Sequence, residues 1–204
     1  MTKQERTARL LAGALFLALF FLWGVGYNCF PIFLPSMLKQ FHLSRLQVGL
    51  VPGVQAITAG VFGLLVGWLL DRVPAQIVMA VGEVSTAVGI VMMSQAGSLN
   101  GLLAGSAVTG IGMIASTVLP ASMVIANWFG ERRGTALGLA TAGMESGGMA
   151  MVFLTGYVIS QFGWRAAYLT LALPVLIAST QARVAHGPEP ARLIHSRAYA
   201  SCVK

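Results

Sequence analysis

The stretch GLLVGWLLDRVPAQIVMAVG, residues 63–82, sets two apolar runs on either side of a short polar turn, Asp71-Arg72-Val73-Pro74-Ala75-Gln76. A helix needs about 20 mostly apolar residues to cross the hydrocarbon core of a bilayer. Two such runs joined by a turn that carries an acid and a base read as a membrane hairpin. Working outward, the same alternation of apolar runs and polar breaks fills the chain. Spans are expected at residues 10–34, 46–70, 75–96, 99–126, 134–160 and 166–180. That makes an all-α polytopic membrane protein with a six-helix bundle over 10–182, an N-tail at 1–9 and a C-tail at 183–204. The first run is too long for the apolar region of a signal peptide and has no clear cleavage site, so it reads as a helix.

Composition agrees. Of 204 residues, 56% are hydrophobic and 9% charged, with a mean hydropathy of +0.78. A soluble domain carries about 25% charged residues, so this chain lacks the charge to cover a water-soluble globule. Membrane β-barrels show alternating segments of about 10 residues, and no such pattern occurs. The net charge of +7 reads as loop and tail charge gathered at one membrane face rather than as a nucleic-acid surface. Of the 13 lysines and arginines, only Lys39, Arg45 and Arg165 fall on the other face. The bias puts both termini in the cytoplasm of a cell with this chain in its plasma (inner) membrane. An even number of spans requires the same-sided termini that the charges imply.

Arg45, Gly49, Gly60 and Gly67 in span 2 recur as Arg133, Gly138, Gly148 and Gly156 in span 5, at offsets of 88–89 residues. Repeated three-helix units within a six-helix half are characteristic of transporters; chance matching of glycine-rich helices is the alternative. Gly49, Gly53, Gly60 and Gly67 share one helical face, and Gly134/Gly138 and Gly143/Gly147 are spaced by four. Small residues at this spacing let helix backbones approach closely, either as packing within one bundle or as a smooth interface that slides. Pro52, Pro120 and Pro174 should bend their spans, and Pro31 and Pro35 should close the first.

The turn Gly67-Trp68-Leu69-Leu70-Asp71-Arg72 resembles the G-x-x-x-D-[RK]-x-G-[RK]-[RK] signature of the major facilitator superfamily, in the same loop between spans 2 and 3. A second resemblance lies in NWFGERRGTALGLATAGMESGGMAMVFLTGYVISQFGWRAAY, residues 127–168. It is similar to the span 4–5 region of monocarboxylate porters and oxalate/formate antiporter-like members. The shared residues are Trp128, Phe129, Arg132, Arg133, Gly134, Ala136 and Gly138, then Ala142, Gly143 and Gly147, then Gly163, Trp164 and Arg165. YNCFPIFLPSMLKQFHLSRLQVG, residues 27–49, resembles that family's lead-in to span 2. The likeness implies one half of a major facilitator fold. It also implies that Gly67, Asp71 and Arg72 belong to a gate, where the acid packs against a helix end of the other half, a favourable place for a carboxylate. Three departures stand out. Pro74, Ala75 and Gln76 replace the glycine and basic pair, and Ser106 precedes Gly110-Ile111-Gly112 where many members carry arginine. Gly143-Met144-Glu145-Ser146-Gly147-Gly148 lacks a proline of the antiporter pattern.

No apolar run follows span 6. The chain is therefore expected to be an isolated N-terminal half with a truncated or frame-shifted end, or a half-size protein that pairs with another copy or chain. Ionisable groups inside a bilayer are functional candidates by default. Glu145 lies near the middle of span 5, as a proton-coupling or substrate-bonding group or as a neutral carboxyl tying helices together. Glu83 in span 3 has the same two readings. First and fourth helices line the cavity in the family resembled, so Tyr27, Asn28, Ser116 and Thr117 are further cavity candidates; polar helix packing is their alternative. Arg132, Arg133, Gly134, Gly138, Gly143 and Gly147 are counted with the gating residues Gly67, Asp71 and Arg72; facing cytoplasmic water or lipid phosphate is the alternative for the two arginines.

Cys29 reads as a small buried residue, and neither it nor Cys202 has metal-ligand or C-x-x-C spacing. His42, His186 and His195 lie in loops or the tail, and no HExxH, GxSxG or P-loop pattern occurs. No metal or other cofactor is expected. The leading function is secondary transport of a small solute, with an organic anion such as a monocarboxylate implied by the resemblance, by proton coupling or exchange. A non-transporting assembly or sensor protein on the same scaffold is the alternative, and an intramembrane enzyme has no nucleophile–base pair to support it.

Overall fold

The computed structural model describes residues 13, 15–41, 43–129 and 133–184, with side chains except at 118, 126–129 and 176–184. Arg132, the N-tail 1–9 and residues 185–204 lie outside the described residues. Every regular element among the described residues is a helix: α1 (Leu15–Phe41), α2 (Arg45–Leu70), α3 (Ala75–Gln95), α4 (Leu99–Ser116), α5 (Val118–Phe129) and α6 (Arg133–Val184). Among the described residues, five helical stretches are long and apolar enough to cross a membrane.

Local chemistry explains the ends. Ser44 starts α2 with a capping box: its Oγ accepts from Gln47 N at 3.3 Å while the Gln47 Oε1 accepts from Ser44 N at 2.9 Å. Between α2 and α3, the Leu69 carbonyl accepts from Arg72 N and Val73 N, which closes the turn before Pro74. Ser98 caps α4. The expected fourth span divides at Thr117, whose φ −104°, ψ −126° is not helical. Pro120 supplies the reason, since it has no N–H for the Ser116 carbonyl and its ring crowds that oxygen. Pro52 and Pro174 sit inside unbroken helix.

The expected end of the first span is corrected. The helix does not close at Pro31 and Pro35 but runs on to Phe41. Pro31 lies in the first turn of the segment Phe30–Phe41, where a missing N–H costs little. Pro35 is exposed and forfeits one bond. At the other end of the chain, α6 has 52 residues, about 78 Å at 1.5 Å per residue and far more than one crossing needs. It is two helical stretches meeting at Gly163, whose φ of 82° and ψ of 167° break the helix. A positive φ is open to glycine and strained for other residues.

Close backbone approach holds the bundle. A Cβ at Gly82 would stand 2.7 Å from the Gly112 carbonyl, and one at Gly89 would stand 2.8 Å from that of Gly105, so α3 and α4 meet on glycine. A Cβ at Gly143 would come 2.7 Å from the Phe16 carbonyl, and one at Gly24 2.6 Å from that of Gly147, so α1 and α6 do the same. The span 2 face behaves differently. Gly49, Gly53, Gly60 and Gly67 have nothing within 4 Å, nor do Gly134, Gly138 and Gly156. These glycines look out of the bundle instead of packing inside it.

One apolar cluster, with Phe33, Met37, Ile90, Leu102, Trp164 and Tyr168, fills the end near Gly163. A second, with Leu19, Met79, Ile125 and Met144, fills the end nearer Asp71. The outer surface is itself apolar, with Leu46, Leu50, Ile57, Leu64 and Leu65 exposed on α2 and Phe153, Leu154 and Phe162 on α6. That exterior suits lipid or a further helical unit, not water.

Candidate functional site

Between α1 and α6 lies an open cavity of about 340 Å³, lined by Asn28, Glu145, Gly148, Met149, Val152 and Phe153. The α6 residues recur at helical spacing along one face. Asn28 reaches the cavity because α1 widens into a π-turn at Gly24–Asn28. Such turns are rare and are often found at functional sites. Gly148 has no side chain, and a Cβ there would collide with the Asn28 amide. Asn28 therefore rests on the α6 backbone with Glu145 one turn below Gly148. The cavity pairs one amide and one carboxyl with apolar walls, the make-up of a small-solute site.

The π-turn is braced from several sides. Its Gly24 carbonyl accepts from the Cys29 thiol at 3.0 Å, and the Cys29 sulfur accepts from Thr155 Oγ1 of α6 at 3.2 Å. Its Gly26 carbonyl accepts from Gln55 Nε2 of α2 at 3.0 Å. Tyr27 is 37% exposed and leans on Trp23 with ring centroids 4.8 Å apart. It neighbours the cavity in sequence without lining it.

Ser116 and Thr117 are buried, and their hydroxyls donate to the Gly112 and Met113 carbonyls at 2.7 Å each. Their hydrogen bonds serve the helix break before Pro120, and neither residue lines the cavity. Asp71 is exposed at the α2–α3 turn, and the Arg72 guanidinium lies 3.7 Å over the Trp68 ring, a cation–π contact. Gly67 lies one turn before Asp71. Arg133 and Gly134 open α6 on its exposed side with Gly138 following, whereas Gly143 and Gly147 are buried against Phe16 and Phe20.

Glu83 is fully buried, and both its carboxyl oxygens lack a hydrogen-bond partner among the described residues. No group of three metal-ligating side chains occurs among the described residues. At the other end of the bundle, Trp164 Nε1 donates to Gln40 Oε1 at 2.6 Å, and Arg165 Nη2 donates to the Ala96 carbonyl at 3.1 Å.

The family profile of the Major Facilitator Superfamily matches residues 15–198. The chain belongs to that superfamily. Its members are transporters rather than enzymes, and the chain is an integral membrane protein. It is 28% identical over 143 residues to mouse monocarboxylate transporter 6, covering 70% of this chain and 30% of that one. It is 24% identical over 158 residues to the uncharacterized MFS-type transporter YcxA of Bacillus subtilis, covering 75% and 39% respectively. A solved bacterial homolog of the human lysosomal transporter Spinster, inward-facing and unoccupied, shares the fold with a TM-score of 0.73 at 21% identity. That match covers 93% of this chain and 44% of the Spinster homolog. The chain thus spans less than half the length of each of these superfamily relatives.

Sequence reasoning named Asn28 and Glu145, and the structure brings both to one cavity. Gln55 and Thr155 are not candidates from the sequence, and Cys29 is expected there only as a small buried residue. The available signal was an amide inside the apolar run 46–70, which needs a partner wherever water is absent.

Proposed function

We propose that this chain is the N-terminal six-helix unit of a secondary transporter that moves a small solute by alternating access. Its spans form two three-helix repeats with both termini in the cytoplasm, in the plasma (inner) membrane of the cell. The observation that carries the reading is the cavity between α1 and α6, where Asn28 and Glu145 meet among apolar walls. The break at Gly163 supports six crossings, because one straight helix over Arg133–Val184 overshoots the bilayer. The outward-looking glycines of α2 and of α6 suit a rocking contact with a second helical unit, either a continuation of the same polypeptide or another copy.

The solute is an organic anion of the monocarboxylate class, a choice supported by relatives named monocarboxylate transporters. Glu145 is the coupling group, exchanging a proton or bonding the solute, and Asn28 orients it. Asp71, with Gly67 and Arg72, serves as the gate that meets a helix end of the second unit.

The test is uptake of labelled lactate, pyruvate, formate and oxalate into proteoliposomes holding the protein, with and without a pH gradient or internal counter-solute. Saturable uptake that is lost in Asn28→Ala and uncoupled from the proton gradient in Glu145→Gln is expected. Folded protein that transports none of the panel under any gradient overturns the substrate class. Coupling unchanged in Glu145→Gln overturns its role.

A further inference from the structure

The π-turn at Gly24–Asn28 interrupts the regular winding of α1. A π-turn holds one residue more per turn than an α-helix and is uncommon for that reason. A backbone carbonyl has two lone pairs, so it can take a side-chain donor as well as a helix N–H. Two carbonyls of this turn take such donors, which lead to two different helices. Gly26 O accepts from Gln55 on α2. Gly24 O accepts from the Cys29 thiol, whose sulfur accepts a hydrogen bond from the Thr155 hydroxyl of α6. Gln55, Cys29 and Thr155 are all buried.

We propose that Gln55 and Thr155, the latter acting through Cys29, form a polar clamp that holds the π-turn of α1 in register and so positions Asn28 at the cavity. The clamp rests on reading that cavity as the solute site, but it can be tested without a solute. Gln55 is well placed for the task. Among the described residues its amide makes the only side-chain hydrogen bonds from α2 to other helices, to Gly26 O and at 3.1 Å to Met113 Sδ of α4. Its own backbone is fixed against Gly110, where a Cβ would collide with the Gln55 carbonyl. Gly26 in turn lies against the Met113 sulfur, and Gly24 against Gly147 and Met151. The turn is gripped by α2, α4 and α6 at once, and its two polar ties connect it to α2 and α6. Movement of either helix along α1 therefore pulls on the residues directly before Tyr27 and Asn28. Gln55 and Thr155 are positioning residues, since neither lines the cavity.

The experiment is hydrogen exchange on the full chain in lipid nanodiscs. Gln55→Met keeps the side-chain length and removes the donor; Thr155→Val keeps the shape and removes the hydroxyl. Each should speed exchange in peptides covering residues 24–30 by about 10-fold while α3 and α4 peptides stay unchanged, the pattern of a local opening. Gln55→Glu adds a reading that packing alone does not produce. Its carboxyl donates to Gly26 O only while it carries a proton. Its excess exchange over wild type should therefore grow as pH rises, while the excess in Gln55→Met stays constant. Unchanged exchange at 24–30 in both donor-free variants overturns the clamp. An equal rise across the whole chain, or a pH-independent excess in Gln55→Glu, shows ordinary packing and overturns it as well. Failure here leaves the transport reading intact, and absence of transport leaves the clamp intact.

Discussion

Glu83 and Gly147 show how a single side chain, or its absence, is felt in a water-free bundle. The unpartnered carboxyl of Glu83 lies one turn from Met79 and one from Ala87, each in an apolar cluster. A buried polar group without a partner costs about 1–3 kcal/mol. Glu83→Met, similar in size, should therefore raise the melting temperature of the purified protein by several degrees. A fall would mean that the carboxyl serves a partner in another conformation. Gly147 is the opposite case, because a Cβ there would land on the Phe20 backbone. Gly147→Ala should cost about 1–3 kcal/mol through overpacking. Gly60→Ala faces open space and should be neutral or stabilising by up to about 1 kcal/mol from helix propensity alone. Thermal melting of the two variants side by side would expose any error in which glycine face is buried.

Elements are joined here by a few short devices, and two of them respond to substitution in different ways. Gly163→Ala places a Cβ at φ 82°, ψ 167° and should cost about 1–3 kcal/mol. Trp164→Phe keeps most of the ring but loses the bond to Gln40, a loss of about 1 kcal/mol. Denaturation monitored by far-UV dichroism separates the two, and equal stability of Gly163→Ala and wild type would contradict the positive φ. Much of this level was legible in the sequence. Hydropathy placed α2 and α3 to within a residue or two, because a long apolar run between polar turns has few alternatives. The break at Gly163 falls between the two expected spans 134–160 and 166–180. The π-turn was not legible, since Gly-Val-Gly-Tyr-Asn is compatible with an ordinary helix and its register is set by contacts with Gln55, Met113 and Gly147. The end of α1 is not legible, since Pro31 is tolerated in a first turn and Pro35 is carried at the loss of one bond. Asn28 and Glu145 were legible as polar residues in apolar runs; Ser116 and Thr117 carried the same signal but use their hydroxyls on their own helix.

For the whole molecule, the decisive feature is how little of α2 is covered. Its glycine face and its large apolar side chains look outward together. The purified chain should self-associate in mild detergent, and sedimentation at rising protein concentration should show a shift to larger species. A monodisperse monomer across that range would argue against a second unit docking on this face. Stiffness is also distributed unevenly. Near Gly163, α6 is riveted to α1 through Trp164 and Gln40, to the α3–α4 joint through Arg165, and by the stack of Phe33 on Tyr168 with centroids 4.0 Å apart. Around Asp71 no side-chain hydrogen bond joins one helix to another among the described residues, and Arg72 spends its charge on Trp68 of its own hairpin. Such a bundle behaves like a pair of tongs. A tilt of about 5° about the riveted end moves the far end of a ~30 Å helix by roughly 3 Å and its midpoint by about half as much. The leverage is therefore greatest at the Asp71 turn and moderate at the cavity beside Asn28, so a small loosening at the cavity becomes a wide opening at the turn.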